Sequence, residues 1–462
     1  MRILVAPDSF KGSLSAVEAA RIMADAIRQE LSQASVHAFP MADGGEGTVE
    51  AVLAGTGGRL VRLTATGPTG TPVRTFYGII DHTTAIPIGG RRPDPARQAD
   101  HHQQPVHQDH HEQTDQHEQN DLQGLHPSPS GTAVAVLETA AVAGLTMVPP
   151  EQRNPLLMTT FGLGECIRHA LDHGIRRFLI GLGGSAANDG GLGMLQALGA
   201  AFYDPAGNRL PDFKPAIPAP TDLAPAGPAA MMDGRLHDPG APQPGTVLEW
   251  MSRIARVDFS TLDPRLREAD IVVASDVQSP LCGPQGASVV FGPQKGATPE
   301  QVRQLDEALA SYAEQVERHL GRTFQHHPGA GAAGGLGFAF LCLGGRIESG
   351  ARLIIEVSGL AGQLPHADWL ITGEGRTDEQ TLLGKLPVTL ADMARAHGVR
   401  TILVSGSLTG DEQTLEKLYR RFDAVFAIPN RPMSLEEAMR DVRPLLKAAA
   451  RNIARLIAAS GP

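Results

Sequence analysis

The chain has 462 residues, of which 42% are hydrophobic, and its formal net charge at pH 7 is −10. Its length favours two compact domains, and its negative charge argues against a nucleic-acid or acidic-membrane surface. The start MRILVAPDSF lacks the features of a signal peptide, and no stretch approaches the roughly 18 apolar residues of a membrane helix. Three scattered cysteines give no disulfide or zinc pattern, so we expect a cytoplasmic protein. From the charge and the missing membrane stretch we expect no nucleic-acid or membrane partner.

The predicted elements alternate strand, loop and helix from the start of the chain. Residues 2–6 form a short apolar strand, and after the loop PDSFKGS the pair Ser15 and Glu18 predicts a capping box and a helix start. Two β-rich runs around a Gly/Pro/Thr turn predict a hairpin at 60–80. Buried strands follow at RFLIGLGG, 270–276, 369–375 and 401–407, with helices such as 299–320 and 387–397 between them. This alternation predicts an α/β chain with a largely parallel sheet.

Two segments lack the pattern of a folded core. The first, roughly 91–130, is almost free of apolar residues and carries seven histidines, so it predicts a disordered surface insertion. A weak Ni²⁺ or Zn²⁺ site there is the less favoured alternative. The second, about 211–245, is rich in proline and alanine and predicts a loop or linker.

Six polar or glycine-rich segments carry the candidate chemistry, most of them at predicted strand ends. Ligands of open parallel sheets bind at the carboxyl ends of the strands. Glycine allows close backbone approach, helix starts suit phosphate, and lysines add positive charge. The segments are APDSFKGS with Asp8, Ser9 and Lys11; MADGGEGT with Asp43 and Glu46; GLGGSAANDGG with Ser185, Asn188 and Asp189; ASDVQSPLCGPQGASVVFGPQKGA with Asp276, Gln294 and Lys295; GAGAAGGLGFA with Gly334 and Gly335; and TGEGRTDEQTLLGKLP with Glu374, Arg376, Asp378, Thr381 and Lys385.

Several carboxylates in one place repel each other unless they hold a cation, and Mg²⁺ with nucleotide phosphates is the commonest solution. Together the segments therefore predict an ATP- and Mg²⁺-dependent phosphotransferase. Singly, each residue has an ordinary alternative as a turn, a helix cap or a solvated lysine. The sequence has no Walker P-loop, no G-x-G-x-x-G after a first strand, no protein-kinase signature and no G-x-S-x-G elbow, which argues against those enzyme classes.

Six ordered motifs resemble those of the type I glycerate kinases of bacteria, a family of glycerate 2-kinases. The motifs are ILVAPDSFKGSLSA, MADGGEGT, GLGGSAANDGGLGMLQALG, FGPQKGA, GAAGGLG and TGEGRTDEQTLLGKLP. The likeness covers nearly all of the chain outside the two unusual segments. It implies phosphorylation of D-glycerate by ATP with Mg²⁺, at the 2-hydroxyl, to give 2-phosphoglycerate.

The same resemblance implies two α/β domains with the active site in the cleft between them. One is a flavodoxin-like, parallel-sheet domain formed by both chain ends, residues 1–60 and 285–462. The other is a mixed α/β domain, residues 61–284, inserted between them. The predicted hairpin at 60–80 agrees with a change of domain near residue 60.

As a hypothesis about roles, the loop 183–191 wraps the transferring phosphate or the glycerate. Asp189 is the expected base for the 2-hydroxyl proton, with Ser185 beside it. Lys11 and Lys295 are expected to neutralise the glycerate carboxylate or the phosphates. The Mg²⁺ candidates are Asp276, Glu374 and Asp378. The remaining predicted substrate or phosphate contacts are Asp8, Ser9, Asp43, Glu46, Gly183, Gly184, Asn188, Gln294, Gly334, Gly335, Arg376, Thr381 and Lys385.

The sequence departs from the family pattern at two positions. Members often have threonine where this chain has Ala187 and asparagine where it has Ser279; neither change removes a charge, so we expect activity. Glu138 matches a family glutamate. The alternatives are phosphorylation at the 3-hydroxyl, a kinase for another small hydroxy acid or sugar, and a non-catalytic binding protein with a kinase fold. The oligomeric state, a homodimer included, is left open.

Overall fold

A computed structural model of the chain describes residues 1–81, 133–215 and 245–459. The predicted insertion at roughly 91–130 lies outside the described residues, as does most of the second unusual segment. Of that second segment, the structure describes residues 211–215, which form neither helix nor strand. Phe213 is buried there and meets Trp250 edge-on, with the ring centroids 6.3 Å apart.

The described residues contain thirteen strands and fourteen α-helices. The strands are β1 Arg2–Pro7, β2 Ser35–Ala38, β3 Arg59–Thr66, β4 Pro72–Ile80, β5 Val134–Glu138, β6 Arg177–Gly181, β7 Ala201–Tyr203, β8 Arg256–Asp258, β9 Asp270–Ala274, β10 Arg346–Glu348, β11 Trp369–Glu374, β12 Arg400–Ser405 and β13 Ala424–Ala427. The helices are α1 Ala16–Glu30, α2 Thr48–Thr56, α3 Ala140–Ala143, α4 Phe161–Asp172, α5 Leu192–Ala197, α6 Val247–Ser252, α7 Ala287–Phe291, α8 Pro299–Leu320, α9 Ala332–Cys342, α10 Gly350–Val357, α11 Leu386–Ala396, α12 Glu412–Arg421, α13 Leu435–Arg440 and α14 Val442–Ala459. The predicted α/β class is confirmed.

The first sheet has five parallel strands in the order β13-β12-β11-β1-β2. Counted along the chain within this sheet, that is the order 2-1-3-4-5 of flavodoxin-like folds. Both chain ends contribute strands, as the resemblance implies. One face is covered by α1 and α14, whose Met23 and Ile453 pack in one apolar cluster with Ile3 and Val5. The apolar strands are buried because helices cover both faces.

The second sheet has six strands in the order β10-β9-β6-β5-β4-β3. The first four are parallel to each other, and β4 pairs antiparallel with both β5 and β3. The β3–β4 pair is the hairpin predicted at 60–80. Helix α10 lies between the two sheets, since Ile355 packs with the first sheet's Leu4 whereas Ile354 packs with the second sheet's Val272.

The sheets divide the chain at other positions than the predicted domain boundaries. Strand β10 pairs with β9 in the second sheet, and Leu309 of α8 and Phe338 of α9 belong to the same apolar cluster as Phe178 of β6. Residues 285–348, predicted with the first sheet, therefore pack with the second. That each sheet belongs to a separate domain stays a prediction.

The start of α1 differs from the predicted capping box in one bond. Ser15 caps the helix by accepting the Glu18 backbone N–H at 3.3 Å. The Glu18 carboxylate does not return to Ser15 and is instead paired with Arg443 of α14. Ser15 therefore fixes the start of α1, whereas Glu18 links α1 to the C-terminal helix α14.

Candidate active site

The order of the first sheet reverses beside β1, and this is the place where open parallel sheets bind ligands. Strands β1 and β11 are neighbours there, and their carboxyl ends carry Asp8 and Glu374. The Asp8 backbone N–H donates to the Gly373 carbonyl at 2.8 Å, which holds the two strand ends together. Both side chains are 7% exposed. The sheet therefore sets two buried carboxyl groups at the expected ligand position.

Four carboxyl groups lie near enough to Lys11 to act on its charge, and we call Asp8, Asp43, Glu46 and Glu374 the carboxylate cluster. Asp43 contributes most to a raised pKa of the Lys11 ammonium, against partial desolvation, and the other three carboxylates raise it further. Burial raises the pKa of Asp8 to about 7, with Asp43 adding to the rise and Lys11 opposing it. Across the described ranges Lys11 has no carboxylate within 4.0 Å. The lysine is therefore attracted by the whole cluster and bound to none of its members.

Three members of the carboxylate cluster have one oxygen tied down by the protein. Asp8 Oδ1 accepts the Ser9 N–H at 2.6 Å, and Asp43 Oδ1 accepts the Gly45 N–H at 3.2 Å. Glu374 Oε1 accepts the hydroxyls of Thr377 and Thr381 at 2.9 and 2.8 Å. Within the described residues their second oxygens accept no hydrogen bond. Each carboxylate is thus oriented through one oxygen and keeps the other for a ligand.

The glycines after Asp43 bring the two sheets into close backbone contact. A Cβ on Gly44 would lie 2.4 Å from the carbonyl oxygen of Ala274, at the end of β9. A Cβ on Gly183 would lie 2.5 Å from the Cα of Gly45. The predicted loop at 183–191 therefore begins directly against the segment that carries Asp43 and Glu46.

Gly183→Ala is expected to lower activity more than tenfold and to destabilise the fold by about 1–3 kcal/mol, because the added methyl forces the two backbones apart. Turnover and urea unfolding measure the two effects. Gly362→Ala is the matched control, since a Cβ there meets nothing within 4 Å and no unusual φ is required. Equal behaviour of the two variants would contradict the prediction.

Asp189 is fully buried within the 183–191 loop. Its Oδ2 accepts the Thr160 N–H and hydroxyl at 2.9 and 2.8 Å and the Gly193 N–H at 3.2 Å, and its Oδ1 accepts the Gly191 N–H at 3.0 Å. Burial raises the pKa of the carboxyl, and these four bonds oppose the rise. The role of Asp189 as base stays a prediction. In this conformation the buried carboxylate accepts four hydrogen bonds from the protein and thereby holds the 183–191 loop in place.

Lys295 and Asn188 are also buried, on the other side of the same loop. The Lys295 ammonium donates to the Ala187 carbonyl at 2.5 Å. The Asn188 amide donates to the Ser288 hydroxyl of α7 at 2.9 Å, and its Oδ1 has no partner within the described part of the chain. The Ser185 hydroxyl is buried and bonds locally with Ala187, whose N–H it accepts at 3.2 Å. These three predicted contacts therefore face the protein interior.

The exposed part of the loop is Gly183 and Gly184, which form its first turn together with the buried Ser185; we call Gly183–Ser185 the glycine corner. Gly184 is exposed with a φ of +68°, a left-handed conformation that suits glycine, and Gly183 is half-buried. The carbonyl of Gly184 accepts the Leu145 N–H at 2.6 Å. In the described structure the N–H groups of all three residues have no acceptor. Consecutive free backbone N–H groups form concavities that bind anions.

Two of the three predicted metal ligands have hydrogen bonds or ion pairs within the protein, and their role at a metal stays a prediction. Asp276 caps α10: its Oδ1 accepts the Ser349 hydroxyl and the Gly350 N–H at 2.8 and 3.0 Å, and its Oδ2 the Ala351 N–H at 3.1 Å. The half-buried Asp378 lies 3.2 Å from the exposed Arg376. Glu374, the third, belongs to the carboxylate cluster. Among described residues, no group of three His, Cys, Asp or Glu is arranged to hold a metal ion by itself.

The other predicted contact residues have the following neighbours in the structure. Lys385 reaches Gln380 at 3.1 Å, next to Thr381, and Gln294 is exposed beside the buried Lys295. Gly334 and Gly335 form a left-handed start to α9, and the Gly334 carbonyl accepts the Gly190 N–H at 2.9 Å. Glu138 caps α2 through the N–H groups of Gly47 and Val49, and burial raises its pKa to about 7.

Sequence reasoning missed the anchors that hold these groups in place. Thr160 fixes Asp189, Thr377 fixes Glu374, and Ser349 fixes Asp276. Thr160 follows a threonine before a glycine-rich helix, and nothing in that pattern points to a residue 29 positions later. Thr377 alone carried a signal, since it lies within the TGEGRTDEQT motif.

Comparisons with known proteins agree across the whole chain. A model of the glycerate kinase family matches residues 3–87, 103–223 and 219–458. The chain is 36% identical over 458 residues to a glycerate kinase of Bacillus subtilis strain 168, covering 99% of this chain and 98% of that protein. It is 35% identical over 460 residues to the glycerate 2-kinase of Escherichia coli K12, covering 99% and 98%.

A solved structure supports the same assignment. The crystal structure of a protein provisionally assigned as glycerate kinase 2 of Salmonella typhimurium LT2 aligns with 100% of this chain and 99% of its own, at a TM-score of 0.70 and 36% identity. No helix in the described ranges is long and apolar enough to cross a membrane. By family match, identity over the full length and fold, the chain belongs to the glycerate kinase family and is a kinase.

Proposed function

We propose that this kinase transfers the terminal phosphoryl group of ATP to the 2-hydroxyl of D-glycerate and releases 2-phosphoglycerate and ADP. The substrate is supported by the relatives named glycerate kinase, and the position by the Escherichia coli relative named glycerate 2-kinase. The observation that carries the proposal is the carboxylate cluster around Lys11 at the reversal point of the first sheet.

The donor set of the cluster fits Mg²⁺. Mg²⁺ in phosphotransferases is held by one or two carboxylates together with phosphate oxygens and water, so a complete protein cage is not needed. Asp43 and Glu374 each keep one oxygen without a protein donor, and their mutual repulsion with Asp8 would be relieved by a cation. When bound, Mg²⁺ would neutralise charge on the phosphate oxygens.

The chain's own groups divide the remaining work. Asp8 accepts the proton of the glycerate hydroxyl through its free Oδ2, since a buried carboxyl group whose pKa is raised in the metal-free protein is a stronger base than an exposed one. The exposed ammonium of Lys11 binds the phosphates or the glycerate carboxylate as a point charge. The glycine corner donates its free N–H groups to oxygens of the transferring phosphoryl group. Phosphoryl transfer depends mainly on such positioning and charge stabilisation.

The test is the identity of the product. Purified protein is incubated with ATP, Mg²⁺ and D-glycerate, and the products are followed by ³¹P NMR, with an EDTA-treated sample as control. A 2-phosphoglycerate signal that is lost in EDTA is expected. A 3-phosphoglycerate signal would contradict the 2-hydroxyl assignment, and full activity in EDTA would contradict the metal requirement. No product from a folded sample would contradict glycerate as the acceptor.

A further inference from the structure

Lys295 is a buried cation that Asp189 attracts from a distance, without a direct salt bridge in the described residues. It is 2% exposed, follows α7 in a short 3₁₀ turn, and forms no salt bridge within 4.0 Å among the described residues. Its ammonium has one acceptor, the Ala187 carbonyl at 2.5 Å. Burial lowers the pKa of this lysine to about 8, and the nearby Asp189 carboxylate opposes only part of that fall, so the fold keeps the charge at a cost. A charge held in this way indicates a function beyond packing.

The backbone of Gly334 packs directly against the Lys295 ammonium. A Cβ on Gly334 would lie 2.9 Å from Lys295 Nζ, 2.9 Å from Asn188 Cα and 2.1 Å from the Ala187 carbonyl oxygen. The left-handed start of α9 therefore closes directly over the contact. Ala333, beside it, is the single non-glycine residue with a positive φ in the described ranges, at 52°.

Lys295 and Asp189 hold the same loop from two sides. Asp189 ties it to Thr160 of the segment before α4, and Lys295 ties it to the turn after α7. A Cβ on Gly296, next to Lys295, would lie 2.2 Å from the Arg153 carbonyl oxygen, so the turn itself is packed onto the segment leading to Thr160. Residues 185–191 are all buried, and the two glycines of the glycine corner, Gly183 and Gly184, are the part of the loop left exposed.

We propose that Lys295 is a positioning residue: by holding the Ala187 carbonyl, it fixes the peptide planes of the glycine corner so that their N–H groups point at the transferring phosphoryl group. It does not touch substrate. A rigid set of donors stabilises charge that develops in the transition state more than charge in the ground state. The loss of Lys295 therefore acts on kcat and leaves KM nearly unchanged. This inference rests on the proposed function of the glycine corner.

The experiment compares Lys295→Met and Lys295→Ala with wild type in the full chain, with Lys417→Ala, an exposed lysine of α12, as matched control. We expect kcat to fall roughly 10²-fold in both Lys295 variants, with KM for glycerate and ATP changed by less than about threefold. Ethylammonium added to Lys295→Ala should restore at least about tenfold of the lost kcat by occupying the vacated cavity. Lys417→Ala should behave as wild type.

Kinetics and amide exchange decide between the roles. A Lys295→Met enzyme with kcat within threefold of wild type overturns the proposal. A large rise in KM with unchanged kcat also overturns it, because the ammonium then contacts substrate. Hydrogen exchange provides a readout independent of activity: amides of 183–187 should exchange faster in Lys295→Met, while those of the first sheet stay unchanged. If wild type phosphorylates no glycerate, the proposed function fails, and unchanged exchange at 183–187 would still overturn the role of Lys295.

Discussion

Asp8→Asn should lower kcat with glycerate by roughly 10²–10⁴-fold, the usual contribution of a general base, and should stabilise the metal-free protein at pH 8. The first effect follows from the loss of the only proton acceptor that we assign at the reversal point of the first sheet. The second follows from the charge that the fold otherwise keeps beside Asp43 and Glu374. A variant that is more stable and less active separates function from stability at one residue.

The stability effect has a defined pH dependence. The pKa of Asp8 is raised to about 7 in the folded protein, from the ordinary aspartate value of 3.8. A carboxyl with a raised folded pKa binds its proton more tightly in the native state, so its ionisation destabilises the fold above pH 7. The cost disappears as the pH falls from 7 towards the unfolded value. At about 1.4 kcal/mol per pKa unit, the gain from asparagine at pH 8 is on the order of 1–4 kcal/mol.

Urea unfolding in EDTA at pH 8 and pH 5 measures this gain. The advantage of Asp8→Asn over wild type should be largest at pH 8 and smaller at pH 5. Asp212→Asn, at an exposed position away from the cluster, is the control and should show no such dependence. If Asp8→Asn were less stable than wild type at pH 8, the fold would stabilise the ionised form of Asp8. That result would contradict the raised pKa on which its assignment as base depends.

The location of the candidate site was predictable because it follows from topology. Apolar runs that end in glycine or acid predict parallel strands, and parallel strands bring their carboxyl ends to one edge. Asp8 and Glu374 are 366 positions apart, yet they lie side by side at the carboxyl ends of the neighbouring strands β1 and β11. The hairpin at 60–80 was predictable for a similar reason, since both of its strands and its turn are local in sequence.

The direction in which side chains face was not predictable from the motifs. GLGGSAANDGG places Ser185, Asn188 and Asp189 within five residues, and the motif alone does not say that all three are buried. Their partners are Ala187, Ser288 and Thr160, and two of these are distant along the chain. The sheet membership of 285–348 was hidden for another reason, because β10 has only three residues and no apolar run.

Asp189→Ala is expected to destabilise the protein by about 3–5 kcal/mol, the range for removing one partner from a buried ionic network. Four donors would lose their acceptor at once: the N–H and hydroxyl of Thr160 and the N–H groups of Gly191 and Gly193. Each buried unpaired polar group costs about 1–3 kcal/mol, and local relaxation recovers part of the sum. Asp189→Asn should cost less, since its remaining oxygen can still accept from Thr160.

Urea unfolding and turnover together decide what Asp189 does. A structural anchor predicts that Asp189→Ala loses stability and that its residual activity per folded molecule falls in the same way as in Lys295→Met, because both attachments of one loop are involved. A catalytic base predicts the reverse, with stability within about 1 kcal/mol of wild type and activity lost in Asp189→Asn as fully as in Asp189→Ala. In that second outcome the carboxylate must leave its four donors during turnover, and the loop 183–191 would have to open to expose it.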